Sequence, residues 1–356
     1  MHALSAKEIK KQYKAIEKVL FQWLFLSFAA PYYLNTPLMK ILNFKCMTPI
    51  FCLLVMSLIF CNAPAGEDQG ARSITLAEGY EFAYRLDDPD QTFKMPKKLE
   101  EISGLGISED GQALVAVQDE DGKLFFLNRY NGEVFVEIEF WKDGDYEGVE
   151  MVGSTAYVVK SSGTIYEVKN PGTPGQEVEK HNFFLDEDND VEGLAYDRAH
   201  NRLLLACKAK AGHEKDYKRR KGIYGFDLAT KTLGEEPVYF IRLDSVNSYL
   251  EKDPAIRKLE KVVEFFDPDE DFDFSPSAIA IHPRTGNIYV ASSVGKLLLV
   301  LSPTGQIMHI EKLSKKIHPQ PEGLCFDTDG NLYVSNEGKG DDGLIYRFNY
   351  KPGRVD

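Results

Sequence analysis

Three short stretches place a carboxylate directly before a glycine at the head of an apolar run: YEGVEMV (146–152), VEGLAYD (191–197) and PEGLCFD (321–327). The glutamates are Glu147, Glu192 and Glu322, and two residues before them stand Asp145, Asp190 and Gln320. Two further stretches, ISGLGIS (102–108) and PSAIAIH (276–282), carry Ser103 and Ser277 at the same place, preceded by Glu101 and Ser275. If these positions converge, three to six carboxylates share one mouth. Like charges held close raise one another's pKa and repel, and a hard divalent cation removes that conflict. Calcium accepts about six to eight oxygens at about 2.3–2.6 Å in flexible geometry, which suits a mixed set of Glu, Asp, Ser and carbonyl groups. Magnesium's tighter octahedron suits it less, and the lack of His or Cys at these positions disfavours zinc. The expected calcium ligands are Glu147, Glu192 and Glu322, with Glu101, Asp145 and Asp190 within reach. A single Glu-Gly has a plainer reading: Gly permits close backbone approach while Glu accepts strand-end amides. Three at regular spacing need a shared cause.

That cause is a repeat. The Gly or Ala of the five stretches falls at 104, 148, 193, 278 and 323, so three steps are 44 or 45 residues and one is 85. Each unit continues through a polar turn into a second strand (ALVAVQ, AYVVKS, RLLLACK, NIYVASS, NLYVSNE). A third follows (GKLFFLNR, GTIYEVKN, GIYGFDL, GKLLLVLS, GLIYRFNY), and four units go on to a fourth (GEVFVEIEF, QEVEKHNFFL, EPVYFIRL, GQIMHIEKL). Four short strands every 40–45 residues or so predict an all-β fold, a five-bladed β-propeller. The last unit lacks its fourth strand, and GYEFAYRLDD (79–88) reads as that strand, supplied from the N-terminal side to close the ring and cover an exposed edge. Six blades would also fit the 85-residue step. A long turn at 208–221 and a helix-like insert at 245–266 account for the excess without an extra strand quartet, so five is preferred.

The series EISGL, DYEGVE, DVEGLAYD and PEGLCFD followed by GNLYVSNE resembles the SdiA-regulated family of bacterial exported propellers, over about residues 74–350. The resemblance implies a five-bladed propeller with a bound calcium ion and no settled biochemical activity. It gives no role to the 208–221 and 245–266 segments.

The regions ahead of the repeat have a different character. MKILNFKCMTPIFCLLVMSLIFCNAPAG (39–66) has a basic start at Lys40 and Lys45, a short apolar core and small residues after it, as a secretory leader does. Ala63-Pro64-Ala65 fits signal-peptidase cleavage, whereas LIFC resembles a lipobox with Cys61 as the lipidated residue, although Phe60 occupies a place where small residues are usual. Residues 39–65 are therefore expected to be a leader or lipoprotein signal, and 66–356 a single exported domain in the periplasm or on the envelope surface, touching membrane only through a lipid anchor. Residues 1–38 read either as an upstream extension before a true start at Met39 or as a membrane-seeking segment. The first 65 residues hold seven Lys against two Glu, leaving the rest of the chain at about −18. So acidic a body excludes nucleic acid, which needs a basic footprint, and favours cations. Its two cysteines, Cys207 and Cys325, fall in separate apolar strands and read as buried free thiols.

The remaining acidic and basic stretches read as solvated loops: LDEDNDVEG (185–193), FDPDEDFDF (266–274) and KDYKRRKG (215–222). No GxSxG elbow, HExxH helix or phosphate-cradling GxxxxGK[ST] is present, and His282 and His318 lie in ordinary turn contexts. The expected function is a binding or scaffold module for a small molecule or an envelope protein. The alternative is a calcium-dependent hydrolase using the axial ion as Lewis acid.

Overall fold

The computed structural model describes residues 73–213, 219–242 and 274–353, all within the compact unit Glu67–Asp356. The leader with Cys61, the insert at 245–266 and most of FDPDEDFDF lie outside the described residues.

Among those residues the strands form five antiparallel sheets. The innermost strands are β3 (Ile102–Ile107), β7 (Tyr146–Val152), β11 (Val191–Asp197), β16 (Pro276–Ile281) and β20 (Pro321–Phe326). Each contacts the inner strand of the next sheet, and β20 returns to β3, so the ring closes at five blades. Five apolar clusters fill the five seams. One joins Val115, Val117 and Leu124 to Tyr146, Val149 and Val158, and another joins Leu105, Leu114 and Phe125 to Tyr333 and Ile345. Because both faces of an inner blade strand meet a neighbour, β4 (Ala113–Gln118) and β18 (Leu297–Leu301) are buried at every residue and read as continuous apolar runs. The outer strand β6 (Val134–Glu139), with water on one side, alternates instead as VFVEIE.

The ring closes differently from the sequence expectation. The fourth strand of the last blade is β2 (Gln91–Lys94), paired antiparallel with β22 (Leu344–Phe348), and residues 79–88 are not a strand. The aromatic alternation of Tyr80, Phe82 and Tyr84 serves packing rather than a ladder. Tyr84 and Leu86 are buried against Tyr289, Val300, Leu324 and Phe348 in the seam between the fourth and fifth blades. The Tyr84 hydroxyl donates to the Gly330 carbonyl at 2.6 Å, and His318 Nε2 meets the Leu86 carbonyl at 2.8 Å. An unforeseen strand, β1 (Ser73–Thr75), adds a fifth strand to the fourth blade along β19 (Ile307–Lys312).

In the third blade, β13 (Arg220–Asp227) begins inside the stretch taken as a basic surface loop, and Lys221 is buried. Its outer partner is split between β14 (Thr232–Leu233) and β15 (Tyr239–Arg242). Cys207 and Cys325 are buried free thiols.

Candidate metal site at one mouth of the ring

All five inner strands carry a register shift at the same place: between Ile102 and Leu105, Tyr146 and Gly148, Val191 and Gly193, Pro276 and Ala278, and Pro321 and Gly323. Ser103, Glu147, Glu192, Ser277 and Glu322 are thus the bulged residues. A bulge leaves its extra residue out of the ladder and re-aims the side chain. The Gly that follows is required by the neighbouring blade. A Cβ on Gly104 would stand 2.7 Å from the Gly148 Cα, and one on Gly148 would stand 2.7 Å from the Leu194 Cβ. Glu-Gly is therefore a bulged acid followed by a contact point between blades.

The bulges bring Glu147, Glu192 and Glu322 close enough to perturb one another. Burial first, then repulsion from Glu192, Asp145 and Glu322 with a hydrogen bond to Asp145, pushes the Glu147 carboxyl up to about 10. Burial and Glu322 raise Glu192 against the pull of Lys208, and burial with Glu337 raises Glu322 against Lys208 and Lys296. Glu192 is only 6% exposed. The Lys208 ammonium contacts its Oε1, whereas its Oε2 is buried with no hydrogen-bond partner. A buried carboxylate oxygen left without a donor is expensive, and a bound cation would satisfy it. The donor set is all oxygen, as a hard cation requires.

The other sequence candidates divide. Asp145 is exposed, accepts the Ser161 hydroxyl and faces Glu147. Asp190, half-buried and left-handed at φ 51°, stands 3.9 Å from Lys208. Glu101 faces a second acidic group instead: Asp119, raised to about 6 by burial and by Glu101, Glu120 and Glu337. The two serines are engaged with backbone carbonyls instead. Ser277 donates to the Pro321 carbonyl at 2.6 Å, and Ser103 to the Glu101 carbonyl at 3.4 Å.

Three mouth residues escaped the sequence reading: Asp119, Lys208 and Glu337. Each follows the second-strand residue that pairs with the residue just ahead of the bulge, namely Gln118, Cys207 and Asn336. Asp119, Lys208 and Glu337 share one column of the repeat with Ser161 and Ser293, the residue after the second strand, where a charge alone looks like a solvated turn.

A tighter set lies elsewhere. Ligand atoms of Glu167, Glu179 and His181, on the outer strands of the second blade, lie within 4.8 Å of one another. Cations already serve it: Lys231 Nζ is 2.9 Å from Glu167, and Lys169 Nζ is 3.1 Å from Glu179. Against burial, Lys231 and the His181 hydrogen bond hold Glu167 below its usual range, so the set is a filled ion-pair network. The acidic 185–193 loop is likewise neutralised by a nearby lysine, with Asp188 2.6 Å from Lys210.

Among solved structures, a streptogramin B lyase aligns over 72% of this chain and 67% of its own at 12% identity, TM-score 0.38. A luciferin-regenerating enzyme aligns over 74% and 95% at 13% identity, TM-score 0.43. The Myxococcus xanthus glutaminyl cyclase aligns over 76% and 97% at 10% identity, TM-score 0.47. No curated protein matches the sequence. The sequence profile of the SdiA-regulated family matches residues 81–213 and 248–349, and the chain belongs to that family.

Proposed function

We propose that this protein is an exported binding module of the cell envelope that holds a calcium ion at the bulged mouth of its propeller. Glu147, Glu192 and Glu322 are the ligands, with Asp145 and Asp190 supporting them from the preceding residues. The observation that carries the reading is the buried Glu192 Oε2 without a partner, among carboxyls whose pKa values rise through burial and mutual repulsion. A divalent ion would supply the missing partner and remove the repulsion at once. It would tie together blades two, three and five, whose inner strands supply the three glutamates. The leader-like segment at 39–66 supports export, with a lipid anchor on Cys61 or cleavage after Ala65 as the two routes of processing. Calcium is scarce inside cells and plentiful outside them, which suits a site built from few ligands. The loops around the ion are the face offered to a small molecule or an envelope protein.

Thermal melting across a calcium titration tests this, with magnesium as comparison. Binding to the folded state alone adds about 2.7 kcal/mol at a hundredfold excess over Kd, so the midpoint should rise clearly with calcium and less with magnesium. A variant carrying Glu147→Gln, Glu192→Gln and Glu322→Gln should show no rise. An unmoved wild type, or an equal rise in the triple variant, refutes the site.

A further inference from the structure

The other end of the ring holds a cavity of about 580 Å³, formed where the inner strands finish. Its walls are largely apolar, with Ile107, Met151, Ile281, Ile288 and Phe326 among them. Into this wall Glu150 projects from β7, deep among neighbouring atoms yet reached through the cavity. Backbone N–H groups of Tyr196 and Met151 donate to it. The volume is that of a small-molecule site, and an apolar lining with few polar groups is the usual composition of one.

The charged groups around Glu150 are already committed. At the end of β11, Asp197 is paired with Arg202 at 2.8 Å and His200 at 2.7 Å. Arg198 reaches across to Glu109 of the first blade at 3.2 Å, with both side chains exposed at the rim. On the β20 side, Asp327 is paired with Arg129 at 3.2 Å, and Cys325 is a buried thiol. On the β16 side, His282 accepts the Arg284 and Thr285 N–H groups on Nδ1 at 3.2 Å each, and burial keeps it neutral. Glu150 is the cavity carboxyl with no ion pair among the described residues.

We propose that this cavity is a second binding site, separate from the metal mouth, that takes a small organic ammonium, its apolar body against the walls and its ammonium on Glu150. A neutral ligand of the same shape would leave the ionised carboxyl served only by two backbone N–H groups and the more distant Arg198. Once ionised, it would repel a carboxylate or phosphate ligand. The acidic body, at about −18 outside the leader region, further concentrates cations around the molecule. Burial raises Glu150 to about 8, so an empty site is mostly protonated near neutrality and must lose that proton as the ammonium enters. Binding therefore strengthens as pH rises.

Calorimetric titration of phenethylammonium chloride into the protein, with saturating calcium present to keep the metal mouth occupied, tests this. The affinity is expected to rise about twentyfold between pH 6.5 and 8.5. It should fall at least tenfold in Glu150→Gln and stay unchanged in Glu192→Gln. Ile281→Trp, which fills the cavity without touching the carboxyl, should abolish it. No binding to wild type, equal binding of the neutral analogue 2-phenylethanol, or full affinity in either cavity variant overturns the proposal. Loss in Glu192→Gln alone would assign the ammonium to the metal mouth and overturn it too.

Discussion

Lys208 places its ammonium on Oε1 of Glu192 and leaves Oε2 of the same carboxylate buried without a partner. The lysine is well anchored: its N–H donates to the Asp190 carbonyl at 2.7 Å, and its own carbonyl accepts Lys221 Nζ at 2.7 Å. Against the burial that would lower it, attraction from Glu192, Asp190 and Glu322 holds the ammonium well above its ordinary range. While Lys296 acts on Glu322, Lys208 is the ammonium in contact with this mouth of three glutamates. It compensates part of their repulsion and competes with any ion that enters.

Replacing Lys208 by Met should therefore act in opposite directions with and without calcium. Without the ion, a buried carboxyl loses its charged donor, and stability should fall by about 1–3 kcal/mol. With saturating calcium no ammonium has to be displaced, so the calcium-induced rise in melting temperature should exceed that of wild type. Parallel melts of the two proteins in chelator and in calcium decide it. A smaller calcium gain in Lys208→Met would mean that the lysine belongs to the bound arrangement instead.

The same carboxyls set a pH dependence. Glu147, Glu192 and Glu322 all have folded pKa values above the ordinary 4.5 of glutamate. The folded state then binds more protons than the unfolded chain once pH passes about 4.5, and the slope of stability with pH is negative there. Their contribution is fully present below that point and is lost as pH rises through the folded values, the last of them that of Glu147 near 10. In chelator, urea midpoints should fall from mildly acidic to alkaline pH. With calcium the fall should flatten, because the ion selects the deprotonated form, and the calcium gain should grow with pH. A chelated protein most stable at pH 9 would contradict the electrostatics of the mouth.

Much of this arrangement was legible in the sequence, because repetition turns spacing into geometry. Glu147, Glu192 and Glu322 lie at equivalent places of their units, so five-fold closure alone brings them to one end of the ring. The bulge was not legible: a two-residue alternation gives no sign that Glu147 leaves the ladder between Tyr146 and Gly148. Nor was Lys208, since a charge at a strand end reads as a solvated turn until the opposite strand is placed. The closing strand was missed for a related reason. Tyr80, Phe82 and Tyr84 carry a stronger strand pattern than QTFK, but their rings fill the seam near Tyr289 and His309. The short polar segment takes the backbone pairing. Alternation reports which side chains share a face, and it cannot say whether a ladder or a cleft receives them.

Gly104 tests whether the bulge glycines are contact points between blades. A methyl there would meet the backbone of Gly148 at 2.7–2.9 Å, and backbone cannot turn aside as a flexible side chain can. Gly104→Ala should cost about 1–3 kcal/mol, as overpacking does in a close-packed interior. Gly175→Ala is the control: its nearest neighbour would be Thr173 Oγ1 at 3.7 Å, an ordinary contact. That change should stay within about 0.5 kcal/mol of wild type. Equal urea midpoints for the two variants would show that the blades can part enough to admit a methyl.

Phe93 tests the closure itself. It pairs with Ile345 across β2 and β22, and its ring is buried with Met95, Leu105 and Tyr333 in the seam between the last blade and the first. This strand comes from the N-terminal side of the repeat and β22 from the C-terminal side, so their pairing is what stops the fifth blade from ending in an open edge. Phe93→Ala removes a buried aromatic ring and should cost about 3–5 kcal/mol. Because each seam is shared by two blades, the loss should spread round the ring. Urea unfolding should remain a single transition with a lower midpoint and an unchanged slope. Two separate transitions would show the fifth blade detaching by itself, and the five seams would then be independent cores rather than one closed structure.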